Sequence, residues 1–228
     1  MKKKILFVFI VTSIITVQLW AQDAASFLVS VTRDGSGVIV TGYGGSARDI
    51  RVPANIQGLP VKEIGARAFR TSRITSIVIP EGVTIIGDAA FQTSESLHTV
   101  TLPNSLRTIG RDAFQGCGAL TAITLPNGIT EIGVTAFANT GLRSVTWPTG
   151  ASVISDYVFR ECSALETVVL PEGVITIGQG AFYRCAALVN VNIPATVRNI
   201  GNLSFNGCVA IPLGTRVSIQ RAGYRGNF

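Results

Sequence analysis

Apolar residues along this chain fall at fixed places in a unit of 22 or 23 residues, and unit after unit reads the same way. Counting from Pro103, Leu106 and Ile109 come first, then Gly110, Ala113, Phe114 and Cys117. Leu120, Ile123 and Leu125 follow before the next proline, Pro126. The same order runs from Pro80, Pro126, Pro148 and Pro171, decays from Pro194, and opens in a longer version at Pro53. A fixed period of this length marks a stack of coils, in which each coil buries its apolar face against its neighbours. One elongated unit is therefore expected where 228 residues would otherwise suggest one or two globular domains.

Each place in the unit has a separable duty. Leu120, Ile123 and Leu125 alternate with polar residues, which predicts a strand with one buried face. Leu97-Val100-Leu102, Leu142-Val145-Trp147, Leu165-Val168-Leu170 and Leu188-Val191-Ile193 are its equivalents. Stacking would pair these strands in parallel at roughly 4.8 Å, as a continuous ribbon. A proline ends each strand at a corner, where its missing N–H leaves the ladder intact. Gly65, Gly87, Gly110, Gly133, Gly178 and Gly201 share one place, which implies either a positive φ or a backbone approach too close for a Cβ. Ser155 stands in that column, so a changed turn is expected there. The following Asp-Ala-Phe tract is too short for an independent helix and predicts a single helical or 3₁₀ turn. Phe69, Phe91, Phe114, Phe137, Phe159, Phe182 and Phe205 recur once per coil and should form an aromatic spine in the core.

The ends differ from the repeats. Residues 1–21 have Lys2, Lys3 and Lys4 ahead of an apolar run from Ile5 to Val17, with the small Ala21 at a cleavage position: the layout of a secretory signal peptide. The run is short for a membrane span, and none is expected after cleavage. Residues 22–52 hold an alternating pair of segments around Asp34-Gly35-Ser36-Gly37, read as a hairpin cap, and a first strand at Asp49-Val52. The solenoid then occupies residues 53–211, about seven coils. Residues 212–228 form a C-terminal cap or tail, with Val217-Ser218-Ile219 as a last strand guarded by Arg216, Arg221 and Arg225.

Charge changes the picture little. The net charge of +6 falls to +3 without residues 1–21, because three lysines leave and no acid does. The remaining scatter of arginines argues against nucleic acid as a partner. His98 is the only histidine, the glycines recur with the coil and form no phosphate loop, and Glu81 and Glu172 occupy equivalent turns. No catalytic residue, cofactor or metal is expected from such a set. Cys117, Cys162, Cys185 and Cys208 each lie three residues after a spine phenylalanine, a place held elsewhere by Ser72, Ser94 and Thr140. Small weak donors in one column suit a buried structural role. A disulfide between successive coils, or a metal site, stays open as an alternative.

The unit P-x-x-[VIL]-x-x-I-G-x-x-A-F-x-x-C-x-x-L-x-x-[VI]-x-[LI] resembles the BspA-like class of bacterial leucine-rich repeats, over about Pro53 to Ile211. Ser155, Val158 and Trp147 depart from it, as do the three coils without cysteine. The resemblance implies a right-handed α/β repeat solenoid with a parallel sheet on the concave face and short helical turns opposite. It also implies an exported protein, secreted, periplasmic or on the cell surface, that binds host matrix or cell-surface proteins. The residues that would face such a ligand are Thr99, Thr101, Thr124, Arg143, Thr146, Glu166, Thr167, Asn190 and Asn192. This face has no aromatic anchor, which predicts weak, extended contact. A structural or decoy repeat protein without a dedicated ligand is the competing reading, since fold alone does not give function.

Overall fold

The computed structural model describes residues 24–228; the signal-peptide reading falls on residues outside these. The chain winds as a solenoid whose coils are held together by three ladders of backbone hydrogen bonds. The concave ladder is made of short parallel strands: Asp49–Arg51 pairs with Ser76–Val78, which pairs with Thr99–Thr101. Farther along, Ser144–Thr146, Thr167–Val169 and Asn190–Val191 pair in the same sense. A second ladder links the two residues before each glycine, such as Ile85–Ile86 with Thr108–Ile109 and Thr176–Ile177 with Asn199–Ile200.

The third ladder runs along the turn side and has no strand in it. In each coil the N–H groups of the spine phenylalanine and of the residues two before and two after it donate to carbonyls of the next coil. Arg67 N to Asp88 O at 2.9 Å, Phe69 N to Ala90 O at 2.7 Å and Thr71 N to Gln92 O at 2.8 Å are one such set. The pattern continues without a gap to Arg184 N on Asn206 O at 2.8 Å. The flanking residues reach it by taking positive φ, for example Arg67 at 59°, Thr71 at 54°, Asp112 at 55° and Tyr157 at 53°. Left-handed residues at this spacing turn the N–H along the stack and keep the tract from propagating as a helix. What forms is a series of i→i+3 turns, such as Ala68 N to Gly65 O and Ser72 N to Phe69 O, each 3.2 Å.

The spine rings lie in file. Centroids of successive phenylalanines from Phe69 to Phe205 are 5.0–5.7 Å apart, with planes within 21° of parallel. All seven are buried. Trp147 stands where other coils have Leu or Ile, and Ala151 stands where they have Val, Leu or Ile. The larger indole fills the space of the smaller neighbour: Trp147 is fully buried, meets Phe159 edge-on at 5.9 Å and donates its Nε1 hydrogen to Ala151 O.

The glycine column resolves into close approach, since none of its members has positive φ. A Cβ on Gly133 would sit 2.4 Å from Arg111 N and 2.6 Å from Gly110 C.

The expected continuous ribbon is a correction: it is broken in the middle. Residues 121–124 form no strand, so Thr99–Thr101 ends one three-stranded sheet and Ser144–Thr146 begins another. The second ladder breaks one step later, between Glu131–Ile132 and Val153–Ile154. Two irregularities coincide with these gaps. Phe137 and Leu142 are one residue closer in sequence than Phe114 and Leu120. Ser155 replaces glycine, and its hydroxyl rather than a ladder N–H bonds Ile132 O. Phe69 and Ile74 are spaced as closely, yet Ser76–Val78 stays paired on both sides, so the short spacing does not by itself break a ladder. The spine and the turn-side ladder pass through both gaps undisturbed.

At the N-terminal end, Phe27–Val31 and Val38–Tyr43 form an antiparallel hairpin, and the second strand joins Leu59–Ile64 in parallel. Asp34 fixes the hairpin turn by accepting from Thr32 Oγ1 at 2.7 Å and from the Ser36 N–H and hydroxyl. The Thr32 bond first, then those from Ser36, hold its carboxyl at about 2 rather than 3.8. A depressed carboxyl supports the turn above its unfolded value and ceases to do so as pH falls through the folded one. NMR titration of the Asp34 carboxyl carbon should show a midpoint of about 2; a midpoint near 3.8 would show that these bonds do not persist in solution.

At the other end the expected last strand is also a correction. Leu213–Arg221 is an α-helix, and Val217 and Ile219 are part of it. Ile219 and Tyr224 are buried, and Tyr224 meets Phe205 edge-on at 5.4 Å, so this segment closes the spine. Arg216 stacks over Phe228 at 5.2 Å and bonds Ile211 O; it guards no strand edge.

Candidate functional site

The concave ladder places the middle residue of each strand inward and its two neighbours outward, because side chains alternate along a strand. Thr99, Thr101, Thr124, Arg143, Thr146, Glu166, Asn190 and Asn192 are exposed, and Thr167 is half-buried. They share one face, but not all are free to meet a ligand. Asn192 accepts from Leu170 N at 2.8 Å and donates to Leu170 O at 2.7 Å, so its amide acts as a substitute rung of the ladder. Asn190 reaches Thr167 Oγ1 at 3.4 Å. Arg143 and Glu166 form an exposed ion pair at 3.2 Å. Such a pair contributes about 0–1 kcal/mol, so reversing either charge should leave a thermal melt nearly unmoved.

Sequence reasoning missed two features of this face. Asp49 accepts from Thr75 Oγ1 and Ser76 Oγ, both at 2.7 Å, and these bonds, that from Ser76 first, lower its carboxyl pKa. The sequence places Asp49 only in a first strand; the hydroxyl pair one coil on, Thr75 and Ser76, is the signal that would have found its role. The other feature is the gap at 121–124, where Thr121, Ala122 and Ile123 line a depression of about 540 Å³ with His98, Thr99 and Ser144.

Several acids elsewhere are spent on coil-to-coil bonds. Asp88 accepts from Arg111 N and Asp156 from Gln179 N, each at 2.8 Å, and Glu81 accepts from Asn104 N at 2.9 Å. Among the described residues no three His, Cys, Asp or Glu side chains come together as a metal site would require.

The cysteines are free and buried. Each thiol donates to the carbonyl of the preceding coil's spine phenylalanine: Cys117 to Phe91 O at 3.2 Å, Cys162 to Phe137 O, Cys185 to Phe159 O and Cys208 to Phe182 O, each at 3.0 Å. Ser94 makes the same bond to Phe69 O at 2.6 Å. Burial pushes the thiols up, to about 12 for Cys117 and Cys208 and about 11 for Cys162. The reactive thiolate is thus absent at neutral pH. Cys117→Ser should cost about 1 kcal/mol or less, because Ser94 already fills that role, while Cys117→Ala loses bond and volume together and should cost more. Urea midpoints of the two variants would show the order.

Coils of this length, with a parallel concave ladder and a buried spine, define a leucine-rich repeat solenoid. The chain belongs to the family described as the BspA type leucine rich repeat region, which matches in six copies over residues 62–150 and 86–212. A leucine-rich repeat protein of T. pallidum is similar at 33% identity over 91% of this chain and 98% of that one, with a TM-score of 0.88. A leucine-rich repeat protein from Bacteroides ovatus shares 32% identity over 82% of this chain, TM-score 0.76. A leucine rich cell surface protein from Faecalibacterium prausnitzii shares 34% over 82%, TM-score 0.74. The chain spans about half the length of these last two, 50% and 52%. No curated protein matches it. Among the described residues no helix is long and apolar enough to cross a membrane.

Proposed function

We propose that the chain is an exported protein-binding module of the bacterial surface, which holds other proteins along its concave face. The observation that carries this reading is the outward row of that face. The side chains of Thr99, Thr101, Thr124 and Thr146 stay exposed and their hydroxyls bond no other coil, whereas the carboxylates of Asp88 and Asp156 do. Polar groups that the fold does not use are available to a partner, and their spread along the stack favours extended contact. The Lys2–Lys4 and Ile5–Val17 leader supports export, and the surface assignment of the F. prausnitzii relative agrees with it. The partner class is a matrix or cell-surface protein of a host.

The test is saturable binding of purified residues 22–228 to immobilised matrix proteins and to intact cells. Threonine-to-arginine changes at Thr124 and Thr146 should weaken it while the far-ultraviolet spectrum stays unchanged. Absence of binding to every surface by a folded protein would leave a structural repeat protein as the better description. Protease shaving of intact cells should release the protein if it is displayed outside.

A further inference from the structure

We propose that the break in the concave ribbon is a binding pocket for one uncharged aliphatic side chain, carried on an extended segment of a protein partner. Four observations meet at this place. First, the inward residue of the strand is covered everywhere else on the face: Ile77 is 0% exposed, Val100 9%, Val145 3%, Val168 1% and Val191 8%. Ile123, at the same place in the interrupted coil, is partly exposed, so the apolar interior reaches the surface there.

Second, the backbone beside it is under-used. Thr99–Thr101 has a strand neighbour on one side only, and the one backbone bond from residues 121–124 to another coil is Arg143 N to Thr121 O at 3.1 Å. Backbone groups with no ladder partner seek one in a ligand or in water. Third, the side chains are small: Ala122 leaves the floor open between His98 and Ser144, and a depression of about 540 Å³ results. An apolar floor inside a polar rim is the usual anatomy of a ligand site, and a filled pocket at the centre of a face is where binding energy concentrates.

Fourth, charge selects the occupant. No Asp, Glu, Lys or Arg lines the depression, and the nearby Arg143 and Glu166 are closed on each other. An ionised side chain would find no carboxylate, ammonium or guanidinium among the lining residues to pair with, so the complement is neutral. The rim hydroxyls of Thr99, Thr121 and Thr124 and the idle backbone groups suit the amides of an extended chain. The pocket thus supplies the anchor that the hydroxyl rows lack. The identity of the partner as a protein rests on the proposed function; the pocket does not.

The experiment uses blocked amino acids as probes on purified residues 22–228. N-acetyl-leucine-N′-methylamide is titrated while amide NMR signals of Val100, Ala122, Ile123 and Thr124 are followed; the glycine and aspartate counterparts are run beside it. The leucine probe is expected to move these four signals severalfold more than either counterpart. Ala122→Trp, at an exposed position outside any strand, should fill the floor and abolish the response. Val169→Trp, elsewhere on the face, should leave it intact. A leucine response no greater than that of glycine overturns the proposal, as does a response that survives in folded Ala122→Trp. Binding of the leucine probe by a protein that holds no matrix protein or cell would keep the pocket and overturn the partner.

Discussion

Replacing Phe137 by alanine is expected to destabilise the fold by about 3–5 kcal/mol, the cost of removing a large buried ring whose surroundings collapse only partly. Phe137 is fully buried and lies between Phe114 at 5.4 Å and Phe159 at 5.7 Å. Its place makes the effect larger than its own area suggests. Both strand ladders are interrupted around this coil, so the ring file and the turn-side bonds carry most of the joint between the two halves, beside scattered bonds such as Arg143 N to Thr121 O and Gly150 N to Asn127 O. In a stack, stability is a sum of coil and interface contributions, and weakening one interface can separate the unfolding of the two halves. Urea denaturation followed by far-ultraviolet dichroism should show an earlier midpoint and a broadened transition. Phe137→Leu, which keeps most of the volume, should cost about 1.5 kcal/mol or less. A Phe137→Ala shift no larger than that of the leucine variant would show that the ring file does not carry the joint.

Gly133→Ala is expected to cost about 1–3 kcal/mol through overpacking, although it adds one methyl group. The new Cβ would meet Arg111 N at 2.4 Å, Gly110 C at 2.6 Å and Arg111 Cα at 2.8 Å. All three are backbone atoms of the preceding coil and cannot rotate away. Relief would require that the coils part and that Gly133 N lose its 2.8 Å bond to Ile109 O. Gly118→Ala is the control: nothing lies within 4 Å of its Cβ position and its φ is ordinary. That change should stay within about 0.5 kcal/mol. Thermal melts of the two variants, run side by side, check the contrast.

Much of this architecture is legible in the spacing of residues. The phenylalanines recur in one place because a ring must meet the ring above it, and the structure stacks them. The strand rows follow from alternation about Val100, Val145 and Val168. The glycine column left two explanations open, and only the distances from Gly133 to the previous coil decide for close approach.

Other features leave no compositional trace. Positive φ two residues before and after each spine ring falls on Arg67, Ala89, Thr135 and Tyr157 as readily as on glycine. The driving force is an inter-coil hydrogen bond and not a residue type, so propensity is silent. Val217-Ser218-Ile219 alternates like a strand, yet Ile219 and Tyr224 are drawn onto the end of the ring file and the segment winds into a helix. Tertiary packing decides short segments of that kind. The candidate site was half visible: the hydroxyl rows could be read from alternation, but not the use of Asn192 as a rung. The missing residue between Phe137 and Leu142 is plain in the sequence, but the same spacing between Phe69 and Ile74 leaves its strand paired, so the break of the ribbon at 121–124 is visible only in the backbone.

The thiol column makes the molecule a recorder of its own unravelling. Cys162, Cys185 and Cys208 sit in three consecutive coils at the C-terminal end, and Cys117 lies nearer the middle. A sulfhydryl reagent can reach each one only when its coil lifts off the one below. Under native conditions the order of tagging therefore reads the direction of fraying: Cys208 first and Cys162 last would mean that the stack peels from its helical lid, and simultaneous tagging would mean that it opens as a single body.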